Sequence, residues 1–302
     1  MMVEKFSQLF KAKNAIVAIP WLWLAIFFLL PFVFVLKISI SEALLAQPPY
    51  DTILREVDEG LITLKINFGN YLLLFEDSLY FEALLGSLEI ATLSTLLCLL
   101  IGYPMAYGIA SAPKAWRLTL LMLIVLPFWT SFLIRVYAWI GLLKANGLIN
   151  AALMAIGLID EPLDILYTNT AVYIGVVYNY LPFLILPLYA TLVRLDRTLL
   201  EAAADLGCPP WRQFLSITLP QSMPGILAGC MLVFIPVMGE FVIPDLLGGP
   251  DTLMLGKLMW MEFFNNKDWP LASALAVVLL VLLVVPFIVM RHYEVKATEE
   301  LS

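Results

Sequence analysis

Three charged side chains interrupt otherwise apolar stretches of this chain: Glu89, Arg135 and Glu240. A charge at membrane depth is costly unless it is paired, hydrated or reserved for a ligand, so each marks a candidate functional position. Two chemistries are open. Arg135 with Glu240, or with Glu89, would make an ion pair that holds a bundle together. Alternatively one carboxylate stays free for a cationic solute. Glu240 is the choice, because it follows Gly239 and lies between Pro236 and Pro244, where the backbone is least regular. Glu89 and Asp245 are further acids for such a path, and Trp129 and Tyr178, with Tyr137 and Tyr180, offer ring faces to an ammonium group.

Other chemistries lack their residues. The one histidine, His292, follows the last apolar stretch, and Cys98, Cys208 and Cys230 are scattered, so no metal cluster can be assembled. Nothing resembles the G-x-x-x-x-G-K-[ST] loop that cradles nucleotide phosphates. No catalytic residue, metal or cofactor is expected in this chain, nor a nucleic-acid partner. A membrane enzyme would need acids, histidines or cysteines clustered in one cavity, and here the acids are dispersed.

The elements that position these groups follow from composition. Of 302 residues 62% are hydrophobic and 14% charged, against about 45–50% and about 25% in soluble domains. Apolar runs long enough for a roughly 30 Å hydrocarbon core occur at about 16–40, 84–110, 117–143, 168–193, 221–247 and 271–291. An all-α polytopic membrane protein of six transmembrane helices is expected, since a transmembrane barrel would show short alternating segments. Lys5, Lys11 and Lys13 precede an apolar stretch too long for a cleavable leader, so the first span reads as a signal anchor.

Basic residues choose the orientation. Lys5, Lys11, Lys13, Lys114, Arg117, Arg194, Arg197, Arg212, Arg291 and Lys296 fall on one side, whereas the longer opposite loops hold Arg55, Lys65, Lys144, Lys257 and Lys267. The richer side, with both termini, is expected to be cytoplasmic. The opposite loops are acidic, from Glu42 and Asp51 through Asp160 and Glu161 to Asp251 and Asp268. Such a field favours cations over anions, or simply keeps outer loops soluble.

Local signals refine the spans. The first outer loop reads as an extended, strand-poor segment, followed by a short interfacial helix in NYLLLFEDSLYFEALL. Residues Leu148 to Ile159 are too short to span and read as re-entrant or interfacial. Pro182 and Pro187 in the fourth span, and Pro236 and Pro244 in the fifth, predict interrupted helices.

One polar passage separates the fourth and fifth spans: EAAADLGCPPWRQFLSITLP, residues 201–220. Thr198 and Glu201 have capping-box spacing, so a helix is expected from that point and is ended by Gly207. Pro209 and Pro210 suit the first turn of a second short helix. Trp211, Phe214, Leu215 and Thr218 would then share one apolar face. A helical hairpin of this size cannot bury that face alone, and must lie on the bundle, the membrane surface or a partner.

Glu201-Ala202-Ala203, Gly207, Ile217, Leu219 and Pro220 reproduce E-A-A-x3-G-x9-I-x-L-P, the loop of binding-protein-dependent ABC importer permeases of type I. The chain resembles that family over about 70–291. Within it, LPFWTSFLIRVYAWIGLLKANGLIN and GEFVIPDLLGGPDTLMLGKLMWMEFFNNKDWPLASA resemble polyamine permeases of the PotB and PotH type, the second passage leaning to the putrescine-specific PotH branch. The resemblance implies a MetI-like permease fold in the bacterial inner membrane. It divides the chain into residues 1–69 (N-terminal segment, first span and long periplasmic loop), the permease domain 70–291 with its coupling loop 199–219, and a cytoplasmic tail 292–302. It also implies partners: a second homologous permease, two copies of an ABC ATPase that bind ATP and magnesium, and a periplasmic polyamine-binding protein. A permease of the same fold for iron, an amino acid, a sugar or sulfate is the nearest alternative, and a passive channel would have no use for an ATPase-docking loop.

Overall fold

The computed structural model describes residues 17–52, 54–58 and 61–299, with side chains described outside 53–64 and up to residue 284. The anchor flank at Lys5, Lys11 and Lys13 and the side chain of His292 lie outside the described residues. Two compact units are present, residues 1–77 with 259–280 and residues 78–258 with 281–302.

The first unit begins with α1 (Val17–Ser39), a membrane-length helix. The loop that follows, expected to be extended or strand-poor, carries one short hairpin. β1 (Leu54–Asp58) and β2 (Leu61–Leu64) pair antiparallel, with an irregularity between Glu56 and Asp58. The short helix α2 (Gly69–Glu76) follows. It is tied to the end of α1, where Tyr71 Oη and Ser39 Oγ lie 2.7 Å apart and Asn70 Nδ2 donates to the carbonyls of Ser39 and Ser41. The interfacial helix expected from NYLLLFEDSLYFEALL is thus only its first half. Asp77 is extended, and the second half already belongs to the long α3 (Ser78–Ser111).

The second unit is an all-helical bundle around α3, α7 (Asn169–Leu192) and α9 (Pro210–Met238), which pack on one another pairwise. Buried Ala91, Cys98, Val176, Leu184, Ile185, Leu188 and Val233 form its centre. Small residues at these seams allow the close packing on which helix association in lipid depends. Between α3 and α7 lie α4 (Lys114–Val125), α5 (Phe132–Leu143) and α6 (Leu148–Ala155). Buried Asn150 anchors α6 by bonding both the N–H and the carbonyl of Leu163.

Two spans depart from expectation, and the fifth follows it. The third span is broken: α4 stops at Val125, Leu126–Trp129 make a tighter 3-10 turn, and α5 restarts after the extended Ser131. Pro127 denies the ladder a donor, and Thr130 Oγ1 turns back on the Pro127 carbonyl at 2.7 Å. The fourth span, by contrast, passes through Pro182 and Pro187 as the single helix α7. The fifth is interrupted at Gly239, beyond Pro236, and resumes as α10 (Val242–Leu247). Two more helices, α11 (Leu255–Trp260) and α12 (Trp269–Glu299), complete the chain. Among the described residues five helical segments suit a membrane crossing by length and composition, and α12 adds the shorter apolar piece Trp269–Val284.

Candidate functional site

The gap between α9 and α10 creates a chemical need. The first N–H groups of any helix lack intrahelical acceptors, and within a bilayer they must find one in the protein. Glu240 supplies it: Oε1 accepts from the N–H of Val242 at 3.0 Å and of Ile243 at 3.4 Å. Its other oxygen, Oε2, accepts from Tyr180 Oη at 2.5 Å, so three donors converge on a carboxylate only 8% exposed. Such charge-assisted bonds are about twice as strong as neutral ones. Glu240 is therefore held in a defined pose, with the fifth span wrapped around it.

A tight contact seals the gap from behind. A Cβ on Gly256 would sit 2.4 Å from the Gly239 carbonyl oxygen and 2.5 Å from that of Glu240, so only glycine lets α11 approach this closely. The start of α11 is fixed as well, because the Leu255 N–H donates to buried Ser87 Oγ at 2.8 Å.

Arg135 does not pair with Glu240 or with Glu89. Among the described residues the ion pairs are Lys65 with Glu42 and Lys257 with Asp245. The Arg135 guanidinium instead lies over the Phe128 ring, 4.5 Å from its centroid, and 5.9 Å from that of Phe132. Its Nε and Nη1 are buried and meet no hydrogen-bond acceptor. Phe128 meets Phe183 edge-on at 5.3 Å, and Phe183 lies 6.0 Å from Tyr180. A row of aromatic rings therefore separates the cation from the carboxylate. Equal depth along the helices fixed their height but not the direction in which each side chain faces.

The remaining predicted residues spread out. Glu89 is exposed, with Tyr173 Oη 3.5 Å from its Oε1. Asp245 lies 3.8 Å from Lys257 Nζ. Tyr178 packs edge-on against Trp139 at 5.3 Å, and Trp129 is 78% exposed, so neither ring is placed against Glu240. The rings that connect Arg135 to Tyr180, Phe128 and Phe183, carry no polar handle that would single them out in sequence.

At the other end of α9 lies the hairpin. Its first helix, α8 (Arg197–Asp205), is capped by Asp196, whose carboxylate accepts from the Thr198 N–H at 3.0 Å. The expected Thr198–Glu201 capping box is not used, because the helix starts before Thr198 and puts both residues inside it. The Asp196 carboxyl is held below its ordinary range, first by that backbone N–H. Gly207 ends α8 with φ +76, the left-handed turn that glycine adopts without strain. Cys208 N–H reaches back to the Ala203 carbonyl at 2.9 Å.

The second helix is not a separate short element. It begins at Pro210 and runs into the membrane-length α9 without a stop. One extra residue is accommodated at Phe214–Thr218, where the Leu219 N–H bonds Phe214 O, five residues back. This local widening splits the expected apolar face. Phe214 turns inward to meet Tyr103 edge-on at 5.5 Å, while Trp211 and Leu215 stay at least half exposed, as does Leu206. Glu201, Ala202, Gly207 and Pro220 are exposed, and Ala203, Ile217 and Leu219 are half-buried. A cavity of about 280 Å³ lies beside the hairpin, with Arg117, Arg197, Glu201 and Thr218 in its wall.

Comparison with known proteins places this geometry. Residues 98–298 match the family described as binding-protein-dependent transport system inner membrane component. The chain is 39% identical over 273 residues to the spermidine/putrescine transport system permease protein PotB of Salmonella typhimurium strain SL1344, covering 90% of each chain. It is 40% identical over 261 residues to that of Escherichia coli K12, covering 86% of this chain and 90% of the relative. The Haemophilus influenzae protein of the same name is 40% identical, covering 90% and 91%. In fold the chain resembles a bacterial ABC transporter involved in the import of the acidic polysaccharide alginate (TM-score 0.70, 16% identity, 98% and 99% covered). That transporter in complex with an alginate pentasaccharide-bound periplasmic protein gives TM-score 0.72 at 17% identity, with 97% of each chain covered. The all-helical permease fold is thereby shared, and the chain is a multi-pass inner membrane protein belonging to the family of binding-protein-dependent transport system inner membrane components.

Proposed function

We propose that this chain is the membrane-spanning permease subunit of an ATP-driven polyamine importer, carrying putrescine or spermidine inward. The observation that carries the substrate is the likeness, across nine tenths of each chain, to permeases named for spermidine and putrescine. A buried carboxylate presented at a break in the fifth span supports it, since an alkylammonium needs a fixed anion in a low-dielectric path.

In this reading the hairpin at 199–219 faces the cytoplasm and docks an ATPase through Glu201, Ala202, Ala203, Gly207, Ile217, Leu219 and Pro220. Two copies of that ATPase bind ATP and magnesium, a second homologous permease completes the path, and a periplasmic polyamine-binding protein delivers the solute. Exposed Trp211, Leu215 and Leu206 give the docking surface its apolar content. Because α9 runs unbroken from Pro210 to Met238, movement imposed at the hairpin reaches the Glu240 break directly. Glu240, Glu89 and Asp245 are the acids of the path; Trp129 and Tyr178 are peripheral to it.

Uptake of labelled putrescine and spermidine by the complete complex in vesicles, with and without ATP, tests the proposal. ATP-dependent accumulation is the expected result. Flux without ATP would make the chain part of a channel, and ATP-driven uptake of another solute with no polyamine flux would reassign the substrate.

A further inference from the structure

Arg135 is held against three electrostatic disadvantages. It is 9% exposed, its Nε and Nη1 meet no acceptor, and it lies in the first turn of α5, where the helix dipole opposes a cation. The Phe128 face offsets only a part of that cost. A buried guanidinium with two idle donors is suited to a second position in which an anion satisfies them. The aromatic row from Phe128 through Phe183 to Tyr180 leads to one such anion, Glu240. The break at Leu126–Ser131 lies immediately before Arg135, so α5 can shift relative to α4 without unwinding a continuous helix.

We propose that Arg135 is an internal competitor for the Glu240 carboxylate. It rests on Phe128 while Glu240 is available to a substrate ammonium, and takes the carboxylate when the substrate is expelled. This rests on the polyamine reading above. A cation bound tightly enough to be captured must also be released, and a tethered cation delivered by the same conformational change displaces it without any change in protonation. The rings between the two positions give either cation an attractive surface on the way. Arg135 would thus set the release rate and, by excluding a second ammonium, the number of charges handled per cycle.

The test replaces Arg135 with Lys in the complete complex and treats it with a membrane-permeant carbodiimide. Where a lysine amine meets a carboxylate, an amide forms and the carbodiimide takes up the oxygen as a urea. An amide between residues 135 and 240, located by mass spectrometry, is expected in the turnover state without polyamine. Saturating spermidine is expected to suppress it and to leave spermidine itself coupled to Glu240. In parallel, R135Q is expected to slow uptake by about tenfold or more while raising equilibrium occupancy by labelled spermidine, and R135K to keep most of the activity. The proposal is overturned if no 135–240 amide forms in any state, or if R135Q transports at the normal rate. Absence of polyamine uptake by the unsubstituted complex would instead sink the substrate reading.

Discussion

Tyr180 and Glu240 meet across two helices, with the phenol oxygen of one 2.5 Å from Oε2 of the other, at the point where the fifth span is interrupted. The same carboxylate caps the helix that follows, so the residue proposed to meet a cation also satisfies the N–H groups at the break. Replacing Glu240 with Gln preserves one acceptor oxygen and the side-chain volume but removes the charge. Uptake by Glu240→Gln is expected to fall by one to two orders of magnitude, with insertion and assembly unchanged. Tyr180→Phe removes one of the three donors and leaves the charge and its two backbone bonds in place, so it should cost less. Initial rates of labelled spermidine uptake order the two; normal uptake by Glu240→Gln would take Glu240 out of the path.

Gly207 separates a backbone effect from a contact effect, because nothing lies within 4 Å of the Cβ it lacks. Its φ of +76 costs most residues about 1–2 kcal/mol but is tolerated by Asn. Gly207→Val is expected to leave ATP hydrolysis running while uptake falls, and Gly207→Asn to stay near normal. Parallel ATPase and uptake assays decide this. Equal performance of all three would separate the turn from coupling.

Gly256→Ala brings a methyl against two carbonyl oxygens that cannot yield without moving the break. Overpacking of this kind costs about 1–3 kcal/mol. A lowered unfolding midpoint in detergent is expected, together with reduced uptake because Glu240 is displaced. An unchanged midpoint would mean that α11 does not press on the break.

Asp196 governs the start of α8. Its carboxyl titrates below the ordinary range, so its stabilisation is present above its unfolded value and is lost as pH falls through the folded one. Between pH 6 and 8 the cap should be pH-independent. Asp196→Ala is expected to speed amide exchange at Thr198, whereas Asp196→Asn, itself a good cap, should not. Exchange measured by mass spectrometry separates them, and equal rates in both variants would remove the cap from the account.

In the hairpin the Gly207 turn and the helix start at Pro210 were legible, because glycine and proline are local signals, whereas the cap and the merger into α9 were not. Nor were the breaks. Pro182, Pro187 and Pro127 look alike in sequence, yet only Pro127 interrupts a helix. The polar pair Thr130-Ser131 just after it was the available signal, since such residues favour leaving and restarting helices. Glu240 was legible as a position and not as a set of contacts. Tyr180 is sixty residues away, and only the packing of α7 on α9 selects it from the neighbouring tyrosines.

The unbroken run from Pro210 to Met238 has a geometric consequence. At 1.5 Å per residue it is a shaft of about 43 Å, joining the hairpin to the last turn before Glu240. A shaft conveys torque as well as thrust, so the azimuth of its far end is set by the angle at which its near end is gripped. One inserted residue would swing that far end by about 100°. The single widened turn at Phe214–Thr218 is therefore a phase setting, fixing the azimuth at which the shaft ends at Met238.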